Sequence, residues 1–168
     1  MITPGYCQTM ARYNAWQNHS LYTAAASLDA AARELDRGAF FGSIRRTLAH
    51  LLWADTLWIS RFDGGEGPAM GALEAMDWET LWQARPVLDA RIAGWAWMVT
   101  EPELEGDITW YSGFLKTDMT RSRTLCIVQL FNHQTHHRGQ VHAMLTSAGA
   151  RPDDTDLQLM PDEVPEWR

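Results

Sequence analysis

IRRTLAHLLWADTLWISRF, residues 44–62, is apolar around much of a helical circumference. Ile44, Leu48, Leu51, Leu52, Trp58 and Ile59 recur at helical spacing but do not fit one narrow stripe. A helix this apolar packs among other helices rather than on one surface. Ser43 stands where a side-chain oxygen can accept a free first-turn N–H. The run DGGEGP, residues 63–68, ends the segment, and a linker with Gly64, Gly65, Gly67, Pro68 and Gly71 follows. In the middle of this helix sits one imidazole, His50.

Working outward, the stretch from Cys7 to about Asp36 reads as a first helix. Trp16, Leu21, Ala24 and Leu28 recur at helical spacing, and AAASLDAAARELD, residues 24–36, has high helix propensity, with Gly38 as its stop. Asp77 caps a third helix, Thr80 to Met98, which Pro86 bends or breaks and which Pro102 and Gly106 end. DITWYSGFLKTDMTRSRT, residues 107–124, favours extended chain, with Ser112-Gly113 as a turn. A fourth helix runs from about Thr124 to Ser147 and stops at Gly149. The tail, residues 150–168, has three prolines and many acids. It predicts an extended strap anchored by Leu157, Leu159 and Met160. Four long helices with one longer crossover predict an all-α, single-domain four-helix bundle over residues 1–168. A short hairpin or loop forms the crossover.

Composition narrows the function. With 46% hydrophobic and 21% charged residues, the chain is globular. A net charge of −7 and scattered basic residues argue against nucleic acid, which demands clustered Lys and Arg. No basic amphipathic face points to a membrane surface. Two cysteines, Cys7 and Cys126, read as reduced thiols rather than a disulfide framework or a Cys-type zinc site. MITPGYCQTM, residues 1–10, lacks a signal-peptide pattern, so a cytoplasmic address is expected. Most of the nine tryptophans are expected in the core or lining a cavity. Trp53 and Trp58, on the helix of His50, either wall an apolar pocket or pack the core.

The chemistry concentrates in FNHQTHHRGQVH, residues 131–142, which holds four of the six histidines. Residues four apart are neighbours on a helix face, so His133 and His137 can aim their imidazoles at one point. Neutral imidazole suits zinc, nickel, copper and iron. The pair's stripe also carries Cys126, Leu130, Gln140 and Met144, and is largely core-facing. Buried polar groups need partners. Those partners are either a metal or, for core histidines, hydrogen bonds to backbone or to each other. A third ligand must come from another helix. His50 is the candidate and His19 the competitor, while His136 and His142 fall off the stripe. Position 134 is Gln rather than Glu, so the zinc-protease motif with its built-in general base is absent. Gln140, Asn132 and Asp55 are candidates to orient the ligands. Arg138 either pairs with a carboxylate or faces solvent, and Gly139 offers a neighbouring helix a close approach.

These residues carry a resemblance. YNAWQNHSLY (13–22), SIRRTLAHLLWADTLWISRF (43–62), FNHQTHHRGQVHAMLTSAG (131–149) and DTDLQLMP (154–161) resemble the DinB-like (damage-inducible, YfiT-like) metalloenzyme superfamily over almost the whole chain. The family pattern has one His in the second helix and an H-x-x-x-H pair in the fourth, followed by Arg-Gly-Gln. His50, His133, His137 and Arg138-Gly139-Gln140 match it one by one. His136 departs from it, standing where an aromatic such as Tyr is often found.

The resemblance implies an up-down-down-up bundle, often a homodimer, holding one divalent ion such as zinc or nickel on His50, His133 and His137. The family name refers to induction on DNA damage and implies no DNA binding. Some relatives use a low-molecular-weight thiol in transfer or isomerisation reactions. The expectation is a metal-dependent enzyme of thiol-transferase or hydrolase type. The alternative is a metal-binding or stress-response interaction module without turnover, and the residues alone also allow a structural bundle in which the histidines only pack. No substrate and no catalytic acid or base can be named.

Overall fold

The structure is a computed structural model that describes residues 1–69 and 76–167. Gly71 of the expected linker lies outside the described residues. The elements are α1 (Pro4–Ala26), α2 (Ala30–Glu34), α3 (Ile44–Asp63), α4 (Trp78–Met98), β1 (Asp107–Ser112), β2 (Thr117–Ser122) and α5 (Arg123–Ser147). Single 3-10 turns lie at Pro102–Leu104 and Leu157–Leu159. The chain is therefore mostly helical, with one small antiparallel sheet. No helix among the described residues is long and apolar enough to cross a membrane.

α3 forms as its sequence dictates. Ser43 Oγ accepts from Arg46 N at 3.2 Å, and Gly64, at φ +72°, closes the other end by donating to Ser60 O at 3.1 Å. A left-handed φ of this kind is cheap only for glycine. Ile44, Leu48, Leu51, Leu52 and Ile59 are buried, Leu48 and Ile59 completely. Each such side chain contributes roughly 1.5–3 kcal/mol by leaving water. The wide apolar arc lets α3 pack against both α4 and α5, and α1 packs against the same two helices from the other side. His50 is thereby brought opposite the fourth long helix.

Three expectations need correction. The first helix does not run to Asp36. It breaks after Ala26, because Ser27 turns its hydroxyl back to Ala24 O at 2.7 Å and Asp29 caps a new helix by accepting from Ala32 N at 2.7 Å. Short polar side chains compete with the helix for backbone partners, and here they outweigh alanine propensity. Pro86 does not break α4, which continues from Trp78 to Met98. The tail is a strap, but Leu157 and Leu159 do not anchor it, since both are exposed. Its backbone is held by α1 side chains: Tyr13 Oη donates to Thr155 O (2.6 Å), Gln17 Nε2 to Asp154 O (2.8 Å) and Arg12 to Pro161 O and Asp162 O. Trp167 ends the strap edge-on to Tyr22 and Trp82, with ring centroids 5.4 Å from each.

β1 and β2 pair from Asp107↔Ser122 to Ser112↔Thr117. The turn between them includes Gly113, as expected, but its left-handed residue is Lys116, at φ +53°. Trp110 of β1 meets Trp58 of α3 at 5.5 Å, and Arg61 stacks on both rings. Trp58 thus packs the hairpin onto the bundle rather than walling a site. Trp97 alone of the nine tryptophans is exposed.

Candidate metal centre

His133 and His137 lie one turn apart on α5, and His50 reaches them from α3. One ring nitrogen of each lies within 4.8 Å of the other two. Nε2 of His50 and Nε2 of His133 are 3.0 Å apart. Two imidazole nitrogens bound to one ion, each at about 2.0–2.1 Å, stand roughly 2.8–3.4 Å apart for angles between square and tetrahedral. The observed spacing fits that geometry. Three neutral nitrogen donors with no carboxylate or thiolate among them suit a borderline divalent ion.

The surroundings prepare the nitrogens for such an ion. Nδ1 of His137 lies 2.8 Å from Gln140 Oε1, which can only accept. His137 therefore carries its proton on Nδ1 and leaves Nε2 free. Gln140 is itself oriented, because its Nε2 faces His136 Nε2 at 3.3 Å. Phe41 stacks on His50 at 4.0 Å with planes 25° apart, and touches His137 at 5.4 Å. Burial pushes His50 and His133 down to about 4, helped for His50 by His133 and His137 and for His133 by His137. Burial also lowers His137, against the opposing hydrogen bond to Gln140. All three are neutral at pH 7, the form that binds metal.

The other candidates fall into place around this centre. His19 is remote, edge-on to Trp167 at 5.5 Å. His142 borders a different depression with Tyr13 and Arg138. His136 is exposed, its ring 4.8 Å from His137. Asn132 is exposed beside His133 and makes no bond to it. Asp55 is buried on α3 and accepts from Arg85 Nη1 at 2.8 Å. The histidine stripe is largely core-facing, as expected: Cys126, Leu130 and Met144 are buried and His137 is 8% exposed, while His133 and Gln140 on it are half-buried. Gly139 approaches no neighbouring helix, since a Cβ there would meet open space. Arg138 neither pairs with a carboxylate nor faces solvent: it is buried, donates to Asn14 Oδ1 and lies over the Tyr13 ring.

Sequence reasoning missed two features. Phe41 has no motif; the Ala39–Gly42 bridge, with Gly42 at φ +78°, delivers it to the site. A buried charge network was also missed. Arg85 and Asp89 of α4 are both buried and bonded at 2.7 Å, and Asp89 Oδ1 also accepts from Asn14 and Asn18 at 3.0 and 2.9 Å. Its signal was an Arg and an Asp four apart between Leu81 and Ile92, on the apolar face of the helix.

The family model described as DinB family matches residues 1–168, the whole chain. No curated protein matches it.

Proposed function

The chain belongs to the DinB family, and from that premise we propose that His50, His133 and His137 hold one divalent ion and that the protein is a metal-dependent enzyme of thiol-transferase or hydrolase type. The observation that carries this reading is the convergence of three imidazoles from two helices, all within 4.8 Å and all neutral at pH 7. Three neutral ligands leave a bound zinc or nickel ion its full charge and an open position, so it would lower the pKa of a water or thiol placed there. The chain's own residues do the rest. Gln140 fixes the His137 tautomer, and Phe41 shields the face of His50. A cleft of about 670 Å³ lined by Asp36, Phe40, Phe41, Arg45 and Arg46 shares Phe41 with the site and offers a substrate a way in. Arg46, one turn before His50, is exposed there and can meet an anionic group.

The same reading includes a four-helix bundle of up-down-down-up order as one domain, a homodimer, a cytoplasmic address, and no nucleic-acid partner. One observation favours a second reading, metal binding without turnover in a stress-response or interaction module. Among the described residues no free carboxylate bonds to the cluster, and Asp55 is engaged by Arg85. The discriminating experiment is elemental analysis of untagged protein, followed by conjugation assays of the zinc and nickel forms with bacillithiol, mycothiol, glutathione and coenzyme A. One ion per chain with turnover of one thiol supports the enzyme. One ion with no turnover on thiols or hydrolysable esters supports the second reading. No ion taken up refutes both.

A further inference from the structure

On the metal reading above, the rings that hold the ion need partners of their own. His133 presents Nε2 to His50, so its Nδ1 points to the far side of the ring, and that atom is shielded from solvent and without a hydrogen-bond partner. A ligand histidine ordinarily donates this second N–H to a carboxylate, a carbonyl or water, which fixes the ring and its tautomer. The helix packed against α5 at this level is α3, and five residues beyond His50 it carries Asp55, 1% exposed. Arg85 occupies Oδ2 of Asp55, while Oδ1 is shielded and has no partner. Nδ1 of His133 and Oδ1 of Asp55 are thus both shielded and unpaired, on adjoining helices. Leaving either unpaired is costly.

We propose that Asp55 is a positioning residue for the metal centre: its free Oδ1 takes up the Nδ1–H of His133 across one internal water, holding the ring so that Nε2 faces the ion. A bridge is required because the two atoms do not meet in a direct hydrogen bond. A polar interior can hold it, since Gln134, the wholly buried neighbour of His133, also has both amide atoms unpaired. Among the described residues, the Asp55 carboxylate acts on both His133 and His137, opposing their loss of basicity. Asp89 has an unpaired oxygen too, but its other oxygen is saturated by Arg85, Asn14 and Asn18. Arg85 bonds both carboxylates and ties α3 to α4 behind the site.

Asp55→Asn and Asp89→Asn form a matched pair, each removing one charged partner of Arg85. The first reading is the His133 tautomer, followed by long-range proton–nitrogen correlation in the metal-free protein labelled with ¹⁵N-histidine. The wild-type chain and Asp89→Asn should carry the His133 proton on Nδ1, and Asp55→Asn should lose that preference. The second reading is zinc affinity by chelator competition. Asp55→Asn should fall about 10–100-fold, and Asp89→Asn should stay within about threefold of wild type. A His133 proton on Nε2 in the wild-type chain would overturn the proposal, and so would equal losses in the two variants, which would assign the effect to the buried network as a whole. If Asp55→Asn does not fold, the wild-type tautomer still decides. Wild-type protein that takes up no zinc would sink the metal reading, and the tautomer would remain the test of Asp55.

Discussion

Replacing the candidate ligands one at a time tests both the site and the register of α5. His133→Ala removes one of three imidazoles. Structural zinc sites with four ligands bind with about 10–16 kcal/mol, which is roughly 2.5–4 kcal/mol for each ligand. At about 1.4 kcal/mol per tenfold, the loss of one imidazole predicts roughly 10²–10³-fold weaker zinc binding. The same loss is expected for His50→Ala and His137→Ala. His136 provides the control. It is adjacent to His137 in sequence and its ring lies edge-on to His137 at 4.8 Å, yet it is exposed and its hydrogen bond goes to Gln140 rather than to a candidate ligand. His136→Ala should therefore change affinity by no more than about threefold. His19→Ala and His142→Ala should have no effect. Zinc competition against a chromophoric chelator at pH 7.5 measures all six. Loss of binding in His136→Ala with retention in His137→Ala would show that the ligand register is displaced by one residue. Full affinity in His50→Ala would remove α3 from the site altogether.

Acid should destabilise the metal-free chain. His50 and His133 titrate near 4 when folded and near 6.5 when unfolded. Between those values the unfolded chain binds more protons, so stability is complete above about pH 6.5 and falls as pH drops toward 4. Urea midpoints from pH 7 to 4.5 should show this slope, and His50→Ala should flatten it; an unchanged slope would contradict the burial argument. Gln140→Ala frees Nδ1 of His137 from its acceptor, and zinc affinity should fall about 10–100-fold; chelator competition showing no change would remove Gln140 from the site. Trp167→Ala removes edge contacts to Tyr22 and Trp82. It should cost about 1–2 kcal/mol in urea unfolding and open residues 150–161 to protease, and an unaltered cleavage rate would mean the polar bonds alone hold the strap. Light scattering at high micromolar concentration should give a dimer mass, and a monomer mass would refute the homodimer.

How much of this was legible depended on how local the cause was. The long helices announced themselves through apolar spacing and through Ser43, Asp77 and Gly149, each of which acts on the backbone within a few residues. The hairpin did so through Ile108, Trp110 and the threonines around the turn. The break at Ser27 was also local, but its cause is a contest: alanine propensity on one side, the Ser27 and Asp29 side chains on the other. Propensity sums are weak against a well-formed cap. The strap was legible only as extended chain. Its leucines suggested apolar anchoring, whereas Tyr13, Gln17 and Arg12 hold it by its carbonyls, and no pattern within the tail itself records a partner 137 to 150 residues away.

The site divides the same way. His133, His137 and Gln140 share one face of one helix, so their spacing alone brought them together. His50 needed the tertiary packing of α3 on α5 to become their neighbour, and the sequence could offer it only beside His19. What the helical stripe did not show is that His133 and Gln140 are only half-buried on it. That placement matters chemically. Side chains wholly inside would be closed to substrate, and fully exposed ones would titrate near 6.5 and lose the metal in mild acid. At the edge, burial is enough to keep the imidazoles neutral, while His133 still borders a surface depression with Gln129, Asn132 and His136. Beside its apolar residues α5 also buries Gln134 and Arg138, and α3 and α4 bury Asp55, Arg85 and Asp89. Buried charges persist only where they are paired, and Arg85 pairs with both Asp55 and Asp89, so this polar interior ties α3 to α4.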